Sequence, residues 1–408
     1  DLGYATGTSF SAPLVTGGLA MMQQFFRGQM SNQELLARIY ATANKEGKYA
    51  NTMLYGQGLV DFGAAMNPVG TMLVETQASA YSLSATRLRP GGALGDGLSQ
   101  SLTGREVVAF DQLGAPFWRS LPGMVDSDRR WSHSSRLRLQ KFLSPGTSEV
   151  DAALTEAVPF AARGDWQFGL REQVLNAGSL LNLTEQAMTL TYAPDEEWEF
   201  TAFTTTARAG WRQGQERGAM LIWRPRGTGV GLRLGVLGEP HGLLGSETDG
   251  AFGRVAAHSA VAGLQWDGVW RQWRIGADVE WGRVHAAVGD GLLDGLSGVV
   301  TSAASLQASR RFNRRDKLLF SLSQPPRVER GSLHLRLPIG RTFTGELVQQ
   351  DVVAHLRPSG RQIDLAAHWY RSGIGGGELR LGALYSRHAD HIAGTSEFSV
   401  MLGWVSVF

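Results

Sequence analysis

A serine stands at the most chemically loaded point of the 408-residue sequence, within Gly7-Thr8-Ser9-Phe10-Ser11-Ala12-Pro13. The glycine-bearing turn leads straight into an apolar run from Phe10 to Phe26 that reads as a helix. A hydroxyl placed there is held on a fixed backbone beside the N–H groups of a helix N-terminus. Those groups could donate to the oxyanion that forms when a serine attacks a carbonyl. The same placement suits a plain N-cap, a position serine favours on helix-forming grounds alone. Residue types and spacing leave both readings open. Pro13 falls close to the predicted helix start, where a missing N–H costs less than in the interior.

Other constellations carry less. His388 and His391 flank Asp390, but a metal site needs a third and fourth ligand, and the stretch reads as a loop. Asp195-Glu196-Glu197-Trp198-Glu199 reads as a charged turn running into a strand rather than a cation site. No metal set and no cofactor motif is read. With no cysteine, thiolate zinc sites, disulfide scaffolds and Cys nucleophiles are excluded. Lys and Arg number 39 against 37 Asp and Glu, with no dense basic stripe, so nucleic acid is not an expected partner.

The elements that position Ser9 are helical. Ser31-Asn32-Gln33-Glu34 is a capping box, in which Ser31 accepts from an early backbone N–H and Glu34 reaches back to the Ser31 N–H. Leu35, Leu36, Ile39 and Tyr40 follow at helical spacing. Gly56, Gly58 and Gly63 interrupt the pattern and Pro68 ends it. Residues 70–165 read as a junction with some structure of its own.

From about Trp166 the period changes to two. Trp273, Ile275, Ala277, Val279 and Trp281 alternate with polar or small residues, and the same holds around 362–369, 378–385 and 397–404. Weaker copies bring the strand candidates to twelve. No window holds the ~18 apolar residues of a transmembrane helix, which leaves a β-barrel open, because its strands average out in hydropathy. Alternation alone fits either a soluble sandwich or lipocalin-like barrel, apolar side inward, or a membrane barrel, apolar side outward. Trp273 and Trp281 lie eight residues apart on one face, which at a ~40° tilt is roughly 20 Å of height, near the spacing of two aromatic girdles. On the membrane reading, Asp278, Glu280, Asp364 and Glu378, with Arg274 and Arg380, face the lumen.

The segment Gly7–Pro13 resembles the serine motif of subtilisin-like proteases. Gly17-Gly18 in the following helix resembles the family too, as do Tyr55-Gly56-Gln57-Gly58-Leu59-Val60-Asp61 and Ala64-Ala65. Leu14 departs from the family, many members of which carry His there. The resemblance implies that Ser9 is the acyl-forming nucleophile and that its own N–H is one oxyanion donor. The family's Asp, His and oxyanion Asn precede the serine, so here they would lie before Asp1, and the sequence reads as a piece opening inside a motif. All nine histidines follow Ser9. The chain by itself is therefore expected to be inactive, although its parent would be a serine endopeptidase.

The ending Trp404-Val405-Ser406-Val407-Phe408 resembles the C-terminal signature of Gram-negative outer-membrane barrels, which implies recognition of Phe408 by the barrel-insertion machinery. A subtilase end followed by such a barrel resembles the subtilisin-like autotransporters. Gly91–Leu98 with Ala109-Phe110-Asp111, and Ser323–Gly331 with Pro358-Ser359-Gly360-Arg361, carry the same resemblance. It implies a mainly β chain, with an antiparallel transmembrane β-barrel of about twelve strands over residues 166–408. A small helical end of a subtilase α/β domain (residues 1–69) precedes it, joined by a junction (70–165) part of which threads the pore. Outer-membrane lipid, the insertion machinery and a peptide or protein substrate for the complete protease are the implied partners. The implied location is the outer membrane, with the protease part at the cell surface. A non-enzymatic outer-membrane channel or anchor with a degenerate protease relic is the alternative, and a soluble all-β protein with a helical cap is a third.

Overall fold

The computed structural model describes residues 7–126, 158–171, 187–205, 216–374 and 377–406. Its first part is helical. Helix α1 (Thr8–Phe25) ends in a turn at Arg27 and Gly28, both with positive φ, and α2 (Asn32–Thr42) follows. The capping box forms as read: Glu34 N–H donates to Ser31 Oγ, and Ser31 N–H donates to Glu34 Oε2 at 2.7 Å. Two short helices, α3 (Thr52–Tyr55) and α4 (Phe62–Met66), complete the segment. Gly18 is required by packing, since a Cβ there would lie 1.9 Å from the Phe62 ring. Met22, Phe26, Leu35, Ile39 and Ala65 form a small core that continues into Ala115 and Phe117 of the next unit.

That unit is a four-stranded antiparallel sheet of β1 (Leu73–Glu75), β2 (Ala80–Ser82), β4 (Glu106–Phe110) and β5 (Pro116–Ser120), in the order β2-β1-β4-β5. Between its strands, β3 (Arg87–Arg89) leaves to pair with β12 (Glu247–Asp249), and α5 (Gly97–Ser101) follows. The pore-threading expectation falls partly on residues 127–157, which lie outside the described residues.

The rest is one large antiparallel sheet. Its strands are β6 (Val158–Arg163), β7 (Trp166–Arg171), β8 (Ala187–Tyr192), β9 (Trp198–Thr205), β10 (Arg217–Trp223), β11 (Val230–Glu239), β13 (Val255–Trp270), β14 (Trp273–Val288), β15 (Leu293–Arg311), β16 (Asp316–Arg341), β17 (Leu347–His355), β18 (Ile363–Ile374), β19 (Gly377–Arg387) and β20 (Ser396–Ser406). These fourteen follow the chain order as neighbours, except that β16 pairs with both β17 and β18. Among the described residues the terminal strands β6 and β20 do not pair with each other, so the sheet is open there.

The count differs from twelve for two reasons. Strands β6 to β8 are short, six residues each, and too brief to show alternation in sequence. The weaker candidates at 316–323 and 331–337, read as separate strands on either side of Pro325-Pro326, are one 26-residue strand, β16. The prolines sit in a break of the β15–β16 register between Ser302↔Arg327 and Ala304↔Gln324, where the ladder does not call for the N–H that proline lacks.

The polarity of the sheet is the reverse of a soluble sandwich. Arg233, Asp278 and Glu280 are 1%, 3% and 2% exposed, and Gln265, Asp364 and Arg380 are also buried. Leu234, Trp281 and Leu402, on the opposite face, are 58%, 57% and 68% exposed. Glu378 accepts from Arg380 Nε at 2.7 Å on the inner side. Arg274 shares the inner parity but is exposed near the strand end.

The two ends of the sheet also differ. Tight connections such as Arg271-Gln272 between β13 and β14 mark one end. Aromatic residues gather at that end: Trp166 against Tyr192, Trp198 stacked on Trp223, and Trp273 edge-on to Phe312. Trp273 thus belongs to a girdle of many residues, and Trp281 stands above it on the same face. At the other end most connections are longer and β13 to β16 run on for 16 to 26 residues, beyond the ~9–11 that cross a bilayer. There the inward side chains turn apolar. Leu237, Val255, Val284, Leu333 and Leu335 pack in one core with Leu94, Leu98 and Phe252, so the junction fills the concave mouth of the sheet.

Candidate functional site

Gly7, in extended backbone, is the N-cap of α1, and Thr8 and Ser9 are the first two helical residues. Ser9 is therefore not the cap, and that alternative for its role falls. Its N–H is one of the donors that a helix start leaves without an intrahelical partner. The side chain is exposed and has no hydrogen-bond partner among the described residues. Pro13 stands at the sixth helical position, deeper than the sequence reading placed it, and the bond it deletes is the one to the Ser9 carbonyl. The arrangement offers a free hydroxyl and an aligned amide on one rigid turn. No histidine or aspartate joins it among the described residues: the eight described histidines lie between His241 and His391, and His133 is outside them.

The helical segment is fixed to the junction by a buried charge. Arg38 sends Nε to the Ala65 carbonyl at 2.5 Å and Nη2 to the Asn67 carbonyl at 2.7 Å. Its Nη1 lies 2.8 Å from Asp111 Oδ2, with the two side chains 1% and 0% exposed. Asp111 in turn accepts the backbone N–H groups of Val69, Leu113 and Ala115. The guanidinium also lies over Phe26 and Phe117, at 5.4 and 5.6 Å from the ring centroids. Nothing local in the sequence pairs Arg38 with Asp111, and this contact was not read from it. The only signal was Asp111 at the end of Ala109-Phe110-Asp111.

The three other stretches singled out in the sequence meet at one place. Strand β16 changes partner from β18 to β17 between Ser323 and Ser332, leaving a gap on that side. Arg327 fills it, donating to the carbonyls of Gly360 and Pro358 at 2.8 and 2.9 Å and to Glu329 at 2.6 Å. Glu329 also accepts from Ser302 Oγ and Arg361. Burial works against its charge, but the Ser302 hydrogen bond and the Arg327 and Arg361 guanidinium groups outweigh it, holding the carboxyl below the usual glutamate range. Asp96 accepts the N–H and the hydroxyl of Ser359, which ties the junction to the same loop.

His391 belongs to this clamp and not to a metal site. Its Nδ1 accepts from Gln362 N–H at 3.0 Å, which leaves Nε2 to donate to the Pro326 carbonyl at 3.0 Å. His388 Nδ1 accepts from Gly394 N–H. Asp195 caps its own turn by accepting from the N–H groups of Glu197 and Trp198. Phe408 lies outside the described residues.

Comparison with known proteins agrees with both halves of this arrangement. Residues 1–58 match the subtilase family. The chain is 37% identical over 189 residues to the "Neisserial autotransporter lipoprotein NalP" of Neisseria meningitidis serogroup B strain MC58, and equally to that of strain H44/76. The match takes in 43% of this chain but only 16% of the relative's length. Over residues 1–58 the chain is thus similar to the subtilases, by the longer match it is similar to an autotransporter, and its described residues from 158 onward form one long antiparallel β-sheet.

Proposed function

We propose that the sheet closes in the outer membrane as a β-barrel that translocates or anchors a subtilisin-like serine protease at the cell surface, with Ser9 as the nucleophile of that protease. The observation that carries the reading is the inverted polarity: charged residues are buried inside the sheet and leucines and tryptophans are exposed outside it. In water an exposed apolar face of this extent has no favourable environment. In a bilayer the same face meets hydrocarbon, and the aromatic residues at the short-turn end meet the interface. The junction that fills the opposite mouth carries the protease segment, consistent with the outer side. The described part of the junction, residues 70–126, belongs to that cap.

Two experiments test the two halves. Purified chain in detergent should migrate differently on gels before and after boiling, and should aggregate when detergent is withdrawn. A detergent-independent soluble monomer would sink the membrane half. Ser9→Ala in the complete protease, where the family's Asp and His partners would be supplied by preceding sequence, should abolish peptidase activity and leave barrel insertion intact. Unchanged activity would refute the nucleophile. A complete gene product with no Ser9-dependent peptidase activity would favour the non-enzymatic anchor.

A further inference from the structure

A cleft of about 1040 Å³ opens on the outer face of the sheet towards the long-loop end. Its floor is a single row of facing positions across four strands: Arg217 of β10 opposite Gly238 of β11, Gly238 opposite His258 of β13, and His258 opposite His285 of β14. All three side chains of the row are exposed, and His241 closes the upper side. Gly238 leaves the gap in the row, where a Cβ would come within 3.4 Å of His258 Nδ1. Below the row the lining turns apolar, with Val236 and Ala260. Among the described residues no carboxylate lines the cleft.

Height decides what such a row meets. His285 lies twelve residues above Trp273 along β14. At ~3.3 Å per residue and a ~40° tilt that is about 30 Å, just past the ~25 Å apolar band of an outer-membrane barrel. Arg217 stands six residues above Trp223 on β10, about 15 Å up by the same reckoning and inside the band. A lipid-facing arginine at that depth is unfavourable unless its head reaches up to an anion, which its long stem allows. Imidazole and guanidinium donors over apolar walls fit an anionic headgroup whose acyl chains lie along the strands. Among the described residues no group of three His, Asp or Glu is placed to hold a metal ion, so an anion is the better match.

We propose that Arg217, His258 and His285, with His241, form a binding site for the phosphate-bearing headgroup of a membrane lipid on the outside of the sheet. The inference rests on the barrel reading above. Its test uses the full chain purified in neutral maltoside micelles. Diphosphoryl lipid A, its dephosphorylated form and inorganic phosphate are titrated separately, and bound lipid is counted by native mass spectrometry.

One diphosphoryl lipid per chain is expected, with at least a tenfold loss of affinity in the Arg217→Gln, His258→Gln, His285→Gln triple variant. Gly238→Leu, which keeps the charges and fills the gap, should lose as much. His285→Gln alone serves should the triple variant not fold, and a measurable weakening is expected of it. Equal retention by wild type and variants overturns the site, as does equal retention of the dephosphorylated lipid. Displacement by millimolar inorganic phosphate assigns the row to free phosphate and overturns the lipid. Heat-modifiable gel mobility, read on every sample, keeps the two readings apart: its absence in wild type fails the barrel, while its presence with unselective retention fails only this site.

Discussion

Replacing Arg38 by alanine should release the helical segment from the junction while leaving the large sheet in place. The side chain makes two hydrogen bonds to the carbonyls of Ala65 and Asn67 and an ion pair with Asp111, with the Arg38 and Asp111 side chains both buried. Breaking a buried pair by removing one partner typically costs ~3–5 kcal/mol, because the other charge stays buried. Here Asp111 keeps three backbone donors after Arg38→Ala, so the lower end, about 3 kcal/mol, is expected. Asp111→Ala strands both the guanidinium and those three N–H groups and should approach ~5 kcal/mol. The core that otherwise holds the segment is small, so this is a large part of its attachment. Hydrogen exchange of the full chain in detergent reads the effect. At ~1.4 kcal/mol per decade, protection of α2 amides should fall about 100-fold or more, with no change in β13 to β16. Arg38→Lys, which keeps a charge but not the planar fork, should fall between. A change below about fivefold in α2 would refute the idea that this pair fastens the segment.

Three further outcomes are expected. Gly18→Ala places a methyl group into the Phe62 ring, and should destabilise the helical segment by ~1–3 kcal/mol, read as earlier proteolytic cleavage between residues 45 and 70. Leu306→Arg puts a charge opposite Ala277, four residues above Trp273 and near mid-height on the exposed apolar face, and should cost ~2–4 kcal/mol of folding free energy in vesicles by urea titration; no change there would mean that this face does not meet lipid. Glu329 has its carboxyl pKa depressed by Ser302, Arg327 and Arg361 against the opposing burial, so its contribution is fully present above the ordinary glutamate pKa and is lost as pH falls through the depressed value. Glu329→Gln should therefore lower stability at neutral pH and flatten the acid limb of a pH–stability curve measured by thermal denaturation.

How much of this was legible in the sequence depended on the range of the interaction. The capping box at Ser31 and Glu34 is local and formed as read. The alternation through Trp273–Trp281 gave a strand, and its parity gave two sets of side chains. It could not say which set faces outward, because that is decided by the curvature of the whole sheet. The burial of Asp278 and Glu280 against Arg233, 45 and 47 residues away, supplies that answer. Pro325-Pro326 read as a break, because a proline forbids a ladder bond wherever pairing is regular, and only the register shift opposite Ala304 removes the conflict. Ser9 stood out in the sequence through its motif, while its exclusion from the cap position needed the backbone at Gly7. Arg38 and Asp111 are 73 residues apart, and no periodicity links them.

The apolar core at the mouth, where Leu94, Leu98 and Phe252 meet the inward side chains of β11 to β16, bears on the permeability of the envelope. An outward-bound polypeptide needs an open conduit, yet a standing conduit would let solutes and ions equilibrate across the membrane. In the barrel proposed above, the segment that would trail an exported cargo would also be the stopper. Export would then be self-terminating: the last part of the chain to arrive would shut the door behind it, and the cell would keep its barrier without a separate gate.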